Sequence, residues 1–453
     1  MINKRTAAAV IALMLASAVF FGSCADMRGM NTDTVNEDRG YTGSSRPSEE
    51  TTESEAPETI PGNTASEMPE TADDEKTEGT INENTSAETE EIGTDTAAET
   101  EAQGEHVQQS AGAMPFWRGM LTDEAEIAAY DRLLTMVNEL SSTAAFAAPI
   151  TYDGLSRVFD LFALDHPEFF WGGGGYTASG SNGLVSSVSV SGGYSAESVY
   201  RMKAEIDGAA DAIIASIPDG ASEFEAERAI FDWLAKNVRY DVSAPNAYSL
   251  YGALADRRCV CEGFAEAFQY LCSRVGVEAT SITGYADNGR TNDRHKWNAV
   301  KLDGNWYLVD PTWAVGNESF RYLYLNESGY ILQSHFPDNA LARYLPSFNA
   351  LDMSYLNFYR LAFGDETFDE TFLRALGHFK EIIDDGERSA VVLMRAETTA
   401  LADKYIDIIN DSRGARISGL LDEFNSSVGG RYAIAGNAGT AYGSVIFFSL
   451  YKR

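Results

Sequence analysis

Cys261 is the residue whose sequence context points most directly to chemistry. After it, apolar residues recur every three or four positions (Phe264, Phe268, Leu271 and Val275), which predicts a helix that is buried on one face and begins at Cys261. The unsatisfied N–H groups and the positive dipole end at a helix N-terminus favour a thiolate over a thiol. Cys261 is therefore predicted to act as a nucleophile.

His295 and Asp310 begin and end a predicted β-hairpin with Asp303-Gly304 at its turn. A two-residue turn makes the two side chains diagonal neighbours on one face, roughly 7 to 8 Å apart at the backbone. A three-residue turn would put them on opposite faces. In the first case Asp310 can hold one imidazole nitrogen and leave the other to act on Cys261. The three residues would then supply the nucleophile, the base and the orienting acid of a triad.

Three segments around these residues resemble the transglutaminase-like core of the papain-type cysteine enzyme superfamily. They are V-C-E-G-F-A at 260–265, H-K-W-N at 295–298 and W-Y-L-V-D-P-T-W at 306–313, and V-R-Y-D at 238–241 also resembles a segment upstream of that family's nucleophile. The resemblance implies that Cys261 is the nucleophile, His295 the general base and acid, and Asp310 the residue that orients His295. It further implies attack on an amide carbonyl, typically of glutamine, through a thioester whose acyl group passes to an amine or to water.

The sequence departs from the family pattern at two positions beside the motifs. Cys259 stands where glycine is frequent, and Lys296 replaces a frequent small residue next to the histidine. Neither change removes a catalytic group. The backbone N–H of Cys261 is the expected oxyanion donor, and no side-chain donor is assigned. No acidic cluster resembles a calcium loop, so neither a metal nor a cofactor is predicted.

The remaining cysteines and tryptophans near the motifs have competing interpretations. Cys272 lies eleven residues after Cys261 among apolar positions and is interpreted as core. Cys259 either packs in the interior or forms a strained bond that masks the nucleophile. Trp297, Trp306 and Trp313 are interpreted as core aromatics around the site, with Trp297 and Trp313 as the candidates for the wall of a substrate channel.

The predicted fold class is α+β, with a papain-like, transglutaminase-like core in which the cysteine-bearing helix packs on an antiparallel sheet. This core is placed at 225–330, between an N-terminal helical and β region at 113–224 and a small C-terminal α/β region at 331–453. The C-terminal region is either a binding module or a layer that completes the core. The apolar spacing predicts helices at 122–141, 153–164, 196–216, 222–237, 398–410 and 415–425, strands at 391–394 and 445–450, and a turn-rich segment at 429–443.

The N-terminus has the pattern of an export signal. Lys4 and Arg5 precede an apolar run over 7–21 and then F-G-S-C, which resembles a bacterial lipobox and implies lipidation of Cys24 and anchoring at the outer face of the cell membrane. An ordinary secretory signal with an incidental cysteine, or an uncleaved anchor, is the alternative. Residues 25–112 hold 23 acidic residues against four basic ones and a single aromatic, so they are predicted to form a disordered acidic tether.

Charge and hydropathy exclude two classes of protein. The net charge is −34, and the sequence contains no Lys/Arg cluster of the kind that nucleic-acid binding needs. No apolar run after residue 24 is long enough for a polytopic membrane protein.

The predicted protein is an extracytoplasmic cysteine enzyme whose partners are a substrate, either a protein or peptide or a cell-wall component, and the membrane through its anchor. Two alternatives stay open. One is a cysteine peptidase or amidase of peptide or cell-wall bonds with the same triad, and the other is a catalytically silent binding module with the same fold.

Overall fold

The structure, a computed structural model, describes residues 115–172, 175–190, 194–384, 386–411 and 414–453. The predicted signal segment with Cys24 and the predicted tether at 25–112 lie outside the described residues. None of the helices within these ranges combines the length and the apolar character needed to cross a bilayer.

The first region is built from three helices and a three-stranded antiparallel sheet. The predicted helices are present as α1 (Glu124–Asn138), α2 (Tyr152–Asp165) and α3 (Ala196–Ile214), and the strands are β1 (Thr143–Thr151), β2 (Tyr176–Ser181) and β3 (Leu184–Val190) in the order β1-β3-β2. Asp123 begins α1 by accepting hydrogen bonds from the backbone of Ala125 and Glu126. The alanine-rich β1 was not anticipated, because its small residues carry little strand signal.

The second region contains the predicted cysteine helix and hairpin. Its helices are α4 (Glu223–Asn237), α5 (Leu250–Leu254), α6 (Cys261–Arg274), α7 (Pro311–Gly316) and α8 (Ser328–Ile331). Its strands are β4 (Arg239–Tyr240), β5 (Arg258–Cys259), β6 (Glu278–Asp287), β7 (Asn292–Leu302), β8 (Asn305–Val309) and β9 (His335–Pro337). β4 and β5 pair in parallel, whereas β8-β7-β6-β9 form an antiparallel sheet against which α6 packs.

The hairpin between β7 and β8 has the two-residue turn that brings His295 and Asp310 to one face. Leu302 pairs with Asn305, and the turn residues Asp303 and Gly304 have φ angles of 46° and 81°. Both angles lie in the left-handed region that this type of turn requires, and Asp and Gly tolerate that region well.

The third region adds a second four-stranded sheet. Its helices are α9 (Asn339–Ala342), α10 (Tyr355–Phe358), α11 (Phe368–Asp384), α12 (Thr399–Asn410) and α13 (Ala415–Val428). Its strands are β10 (Ala362–Phe363), β11 (Ser389–Ala396), β12 (Tyr432–Tyr442) and β13 (Val445–Lys452), in the order β10-β11-β13-β12. The turn-rich interpretation of 429–443 is wrong, because an irregular strand with two register shifts against β13 occupies most of that segment. The glycines that suggested turns accompany those shifts.

The second and third regions share one continuous core. Buried apolar side chains from α4, α6, β7, α11, β11 and β13 belong to a single cluster, which Ile206, Ala210 and Ile213 of α3 also join, whereas the rest of the first region's core is a separate cluster. The continuity favours the interpretation of the third region as a layer that completes the core.

Glu327 is a buried polar residue that also connects the second and third regions. Its side chain has no exposed surface, and it pairs with Arg395 of β11 and accepts a hydrogen bond from the Tyr442 hydroxyl of β12. Its second oxygen accepts from the backbone N–H of Leu356 at 3.1 Å. A buried charge that draws its partners from the third region ties the two regions together.

We expect Arg395→Ala to lower the free energy of unfolding by about 3 kcal/mol, because the fully buried Glu327 side chain would lose its cationic partner. Urea unfolding followed by tryptophan fluorescence measures this change. All six tryptophans lie before residue 314, so their signal reports on the first two regions. Arg416→Ala, which breaks the exposed pair with Asp369, is the control and should cost less than about 1 kcal/mol. Equal midpoints for Arg395→Ala and the parent chain would contradict a shared core.

Candidate active site

Cys261 is the first residue of α6 and is 8% exposed. The preceding N-cap residue is Val260, whose side chain has no acceptor for the amides of the first turn. No capping side chain at that position therefore competes with a substrate oxygen for these N–H groups. The helix position of the cysteine is as the sequence predicted.

The backbone around Cys261 is held by a close contact that explains the glycine of the C-E-G motif. A Cβ atom at Gly263 would lie 2.6 Å from the Cβ of Cys259 and 2.9 Å from the carbonyl oxygen of Ser249. Glycine is therefore required for α6 to pack this closely on the segment before it.

Cys259 and Cys272 are interior thiols. Both have no exposed surface, and burial raises the pKa of each well above that of an ordinary thiol. Cys259 is a free thiol, so the strained masking bond considered from the sequence is not formed, and packing against Gly263 describes its role. Cys272 faces the core cluster, as predicted.

His295 lies on β7 with 6% of its surface exposed. Its Nε2 is 2.9 Å from Oδ2 of Asp310, so the predicted histidine and aspartate are brought together. Trp297 stacks near the imidazole with a centroid distance of 6.0 Å and an interplanar angle of 16°. Asp310 thus contacts the edge of the His295 imidazole, and Trp297 lies against its face.

Asp310 is the residue on which the site is centred. It is the N-cap of α7, and its Oδ1 accepts hydrogen bonds from the backbone of Thr312 at 2.9 Å and Trp313 at 3.1 Å. Burial opposes the charge of this carboxylate, but the charges and hydrogen bonds of His295 and His335 hold its pKa well below the usual range. Asp310 is consequently an acceptor on both oxygens.

His335 is a site residue that the sequence analysis missed. It lies on β9 with 1% of its surface exposed, and its Nε2 is 2.9 Å from the same Oδ2 of Asp310 that His295 contacts. Because the ionised carboxylate can only accept, both Nε2 atoms carry their protons. No motif in the sequence marks His335, since it lies 25 residues beyond Asp310 and reaches it only when β9 pairs with β6.

The cluster of His295, Asp310 and His335 also has the composition of a metal-ligand set. One ligand atom from each residue lies within 4.8 Å of the other two, and all three side chains are buried. The N–H groups of both imidazoles point at the carboxylate, and these hydrogen bonds account for the arrangement of the three groups. A metal would have to displace both protons.

Lys296, the second departure from the family pattern, lies on β7 and forms a buried ion pair with Glu266 of α6. Its Nζ is 3.0 Å from Oε1 of Glu266 and 3.5 Å from Oε1 of Glu262. Burial lowers the pKa of Lys296, but the two glutamates and Cys261 outweigh it and the pKa is raised. Burial raises the pKa of Glu266 to about 7. The lysine therefore places a cation within electrostatic reach of Cys261 and fastens β7 to the start of α6.

The two tryptophans predicted for a substrate channel differ in burial. Trp297 has no exposed surface, so in this structure it packs between His295 and the edge of His335 instead of lining an open channel. Trp313 is partly exposed and lies 5.7 Å from the ring of His295 and 4.6 Å from that of His335. For Trp313 the channel role stays a prediction.

A family model described as the transglutaminase-like superfamily matches residues 210–311, a segment that contains Cys261, His295 and Asp310. Residues 210–311 are therefore similar to the transglutaminase-like superfamily, in agreement with the resemblance found in the motifs. The lipoprotein type stays a prediction.

Three curated proteins are similar to part of the chain. The kyphoscoliosis peptidases of Mus musculus and Homo sapiens are 31% and 30% identical over 146 residues, which cover 27% of this chain and 22% of each peptidase. The Lim and transglutaminase domain protein ltd-1 of Caenorhabditis elegans is 27% identical over 184 residues, which cover 33% of this chain and 25% of that protein. The chain thus spans about a quarter or less of the length of these relatives.

Two solved structures are more distantly similar. A crystal structure of a TGase has a TM-score of 0.23 and 15% identity, and covers 38% of this chain and 50% of its own. A putative cysteine protease from Cytophaga hutchinsonii has a TM-score of 0.21 and 19% identity, and covers 30% of this chain and 61% of its own. Scores this low support no argument about shape or activity.

We expect iodoacetamide at mild pH to label Cys261 in preference to the buried Cys259 and Cys272, because alkylation follows thiolate content and access. His295→Ala should slow labelling of Cys261 by about tenfold or more, the effect of one pKa unit on the thiolate fraction. Peptide mapping by mass spectrometry measures the rate at each cysteine.

His378→Ala is the matched control for this experiment. His378 is mostly buried and bonds the Tyr355 hydroxyl in the third region, so its loss should leave the labelling rate of Cys261 unchanged. Labelling of Cys261 that is indifferent to His295 would remove the thiol–imidazole pair and favour the binding-module alternative.

Proposed function

We propose that this chain is a transglutaminase-like cysteine enzyme that acts on amide bonds through a thioester, with Cys261 as nucleophile, His295 as general base and acid, and Asp310 as the orienting residue. The observation that supports this proposal most directly is the 2.9 Å contact between His295 Nε2 and Asp310 Oδ2, next to a sheet on which the cysteine helix packs. Because Nε2 of His295 donates to Asp310, Nδ1 is the nitrogen that would exchange protons with Cys261 and the substrate.

The proposed reaction proceeds in two half-reactions. His295 Nδ1 takes the proton of the Cys261 thiol, and the thiolate then attacks the amide carbonyl carbon, whose oxygen becomes an oxyanion facing the first-turn amides of α6. The C–N bond breaks as the imidazolium gives its Nδ1 proton to the leaving amine, and a thioester remains. An incoming amine or water loses a proton to Nδ1 as it attacks the thioester, the C–S bond breaks, and the proton returns to the thiol.

Hydrolysis is the second form of the proposal. The curated relatives from mouse and human are named peptidases, and each is similar to this chain over 146 residues. A peptidase or amidase and an acyltransferase share every step up to the thioester. They differ in whether the site admits water or an amine, so the acceptor has to be measured.

We expect the full chain to release ammonia from a glutamine-containing peptide or to join it to a fluorescent amine, and Cys261→Ser to abolish both. Ammonia detection and fluorescence in a gel distinguish hydrolysis from transfer in one reaction mixture. Asp310→Asn should reduce either activity by about a thousandfold or more, because the amide would hold the imidazole in the wrong tautomer. The exposed Asp384→Asn is the control and should be neutral. If the chain and Cys261→Ser behave alike on glutamine peptides, cleavage of ordinary peptide bonds is the next substrate class to assay, and inertness on both would end the proposal.

The proposed location is the outer face of a bacterial cell membrane, with Cys24 lipidated and residues 25–112 as an acidic spacer. The support is the sequence pattern of residues 1–24 and the composition of the segment that follows. The substrate would then be a protein, a peptide or a cell-wall component on the outer side.

Metabolic labelling with an alkyne fatty acid in a bacterial host tests the anchor. We expect the parent chain to carry the label and to fractionate with membranes, and Cys24→Ser to lose both properties while keeping its activity on peptides. Cys272→Ser, in the core, is a control that leaves Cys24 in place. Unlabelled, soluble parent chain would favour the ordinary secretory signal.

A further inference from the structure

His335 and His295 face the same side of the sheet. In the register of β6 with its two neighbours, Gly284 pairs with His295 and Ala286 pairs with His335. Residues two apart on a strand share a face, so both imidazoles point to the side where Asp310 lies. The two rings are 5.3 Å apart with an interplanar angle of 62°.

The surroundings of His335 make Nε2 a hydrogen-bond donor to Asp310. Its Nδ1 is 2.9 Å from the Ser334 hydroxyl and 3.0 Å from the carbonyl oxygen of Ile331, which can only accept. Burial lowers the pKa of His335 and the nearby His295 lowers it further, whereas Asp310 and the hydrogen bond to the Ile331 carbonyl oppose that effect. His335 therefore gives Oδ2 of Asp310 a second N–H donor beside that of His295.

The Nε2 proton of His295 can lie on the imidazole or on the Asp310 carboxylate. When His295 is an imidazolium, transfer of its Nε2 proton to Asp310 would remove two charges from an interior where both are costly. That transfer would leave an Nδ1–H tautomer, which cannot take the thiol proton and is a weaker acid toward the leaving amine. Each N–H donated to the carboxylate lowers its affinity for that proton.

We propose that His335 is a positioning residue whose Nε2–H keeps Asp310 an anion, so that His295 retains its Nε2 proton and, as an imidazolium, can give its Nδ1 proton to the leaving amine. The inference rests on the proposed function and adds to it a fourth residue, from β9, that acts through Asp310. His335 differs in this from the two backbone donors, because they hold Oδ1 and His335 shares Oδ2 with His295.

Substitution of His335 by phenylalanine and by glutamine separates packing from hydrogen bonding. His335→Phe keeps a ring against Trp313 and Trp297 and removes the N–H donor, whereas His335→Gln restores a neutral N–H donor in place of Nε2. His378→Phe is the matched control, because it removes another mostly buried imidazole that bonds a tyrosine hydroxyl at 2.6 Å. All variants are made in the full chain, and urea unfolding checks that each is folded.

The kinetic test compares an amide substrate with a nitrophenyl ester of the same acyl group. We expect His335→Phe to lower kcat on the amide by about ten- to a hundredfold, the value of a hydrogen bond to a charged group, with little change in KM. Its rate on the ester should fall much less, because a nitrophenolate leaves without receiving a proton. His335→Gln should recover most of the amide rate, and His378→Phe should leave the amide-to-ester ratio of the parent. Equal ratios in all four proteins would overturn the role of His335 and leave the proposed function standing.

A readout that needs no turnover is the ¹⁵N spectrum of histidine-labelled protein, which contains five histidines. In the parent chain, acidification should give a His295 ring with both nitrogens protonated. In His335→Phe the Nε2 signal should move toward the unprotonated position at the same pH, and in His335→Gln it should return. An unchanged Nε2 signal in His335→Phe would refute the inference, whether or not the chain is active. Inactivity of the parent chain on every substrate would refute the proposed function instead, and the ¹⁵N experiment could still be read.

Discussion

The candidate site depends on one buried carboxylate that remains charged. Asp310 accepts hydrogen bonds from two imidazoles through Oδ2 and from two backbone amides through Oδ1, and these contacts outweigh the cost of its burial. The backbone contacts exist because Asp310 is the N-cap of α7, so the turn that ends the hairpin and the start of the next helix are fixed by the same side chain. The cap of α7 and the orientation of the His295 ring thus depend on the same side chain.

Different elements position the side chains around Asp310. The β7–β8 hairpin sets His295 against Asp310, α6 brings Cys261 to the same sheet, and β9 adds His335 from the far edge. The buried pair of Lys296 and Glu266 and the hydrogen bond from Asn298 Nδ2 to the Ala265 carbonyl oxygen at 3.0 Å join α6 to β7. Both contacts come from the strand face opposite to that of His295, because side chains alternate along a strand. β7 therefore carries His295 on one face and contacts α6, the helix that begins at Cys261, with the other.

The third region contributes to this arrangement through the core and not through the site itself. Its sheet and α11 continue the apolar cluster of the second region, and Arg395 and Tyr442 satisfy Glu327. A small domain gains buried area from such a layer, and stability rises with the share of surface removed from water. That physical role is sufficient to explain its presence.

Much of the local structure was contained in the sequence. Apolar spacing marked α6 and its start at Cys261, Asp303-Gly304 specified a two-residue turn, and that turn put His295 and Asp310 on one face, because hairpin register follows from turn length. Motif resemblance identified the domain. The sequence did not predict strand β12, because its glycines indicated turns, whereas in the structure they accompany register shifts in the pairing with β13. No local pattern indicated that β9 would join the sheet. Only the tertiary structure decided that His335 reaches Asp310, that Trp297 is closed off from solvent, and that Lys296 finds two glutamates, since each depends on contacts between segments whose separation in sequence carries no periodic signal.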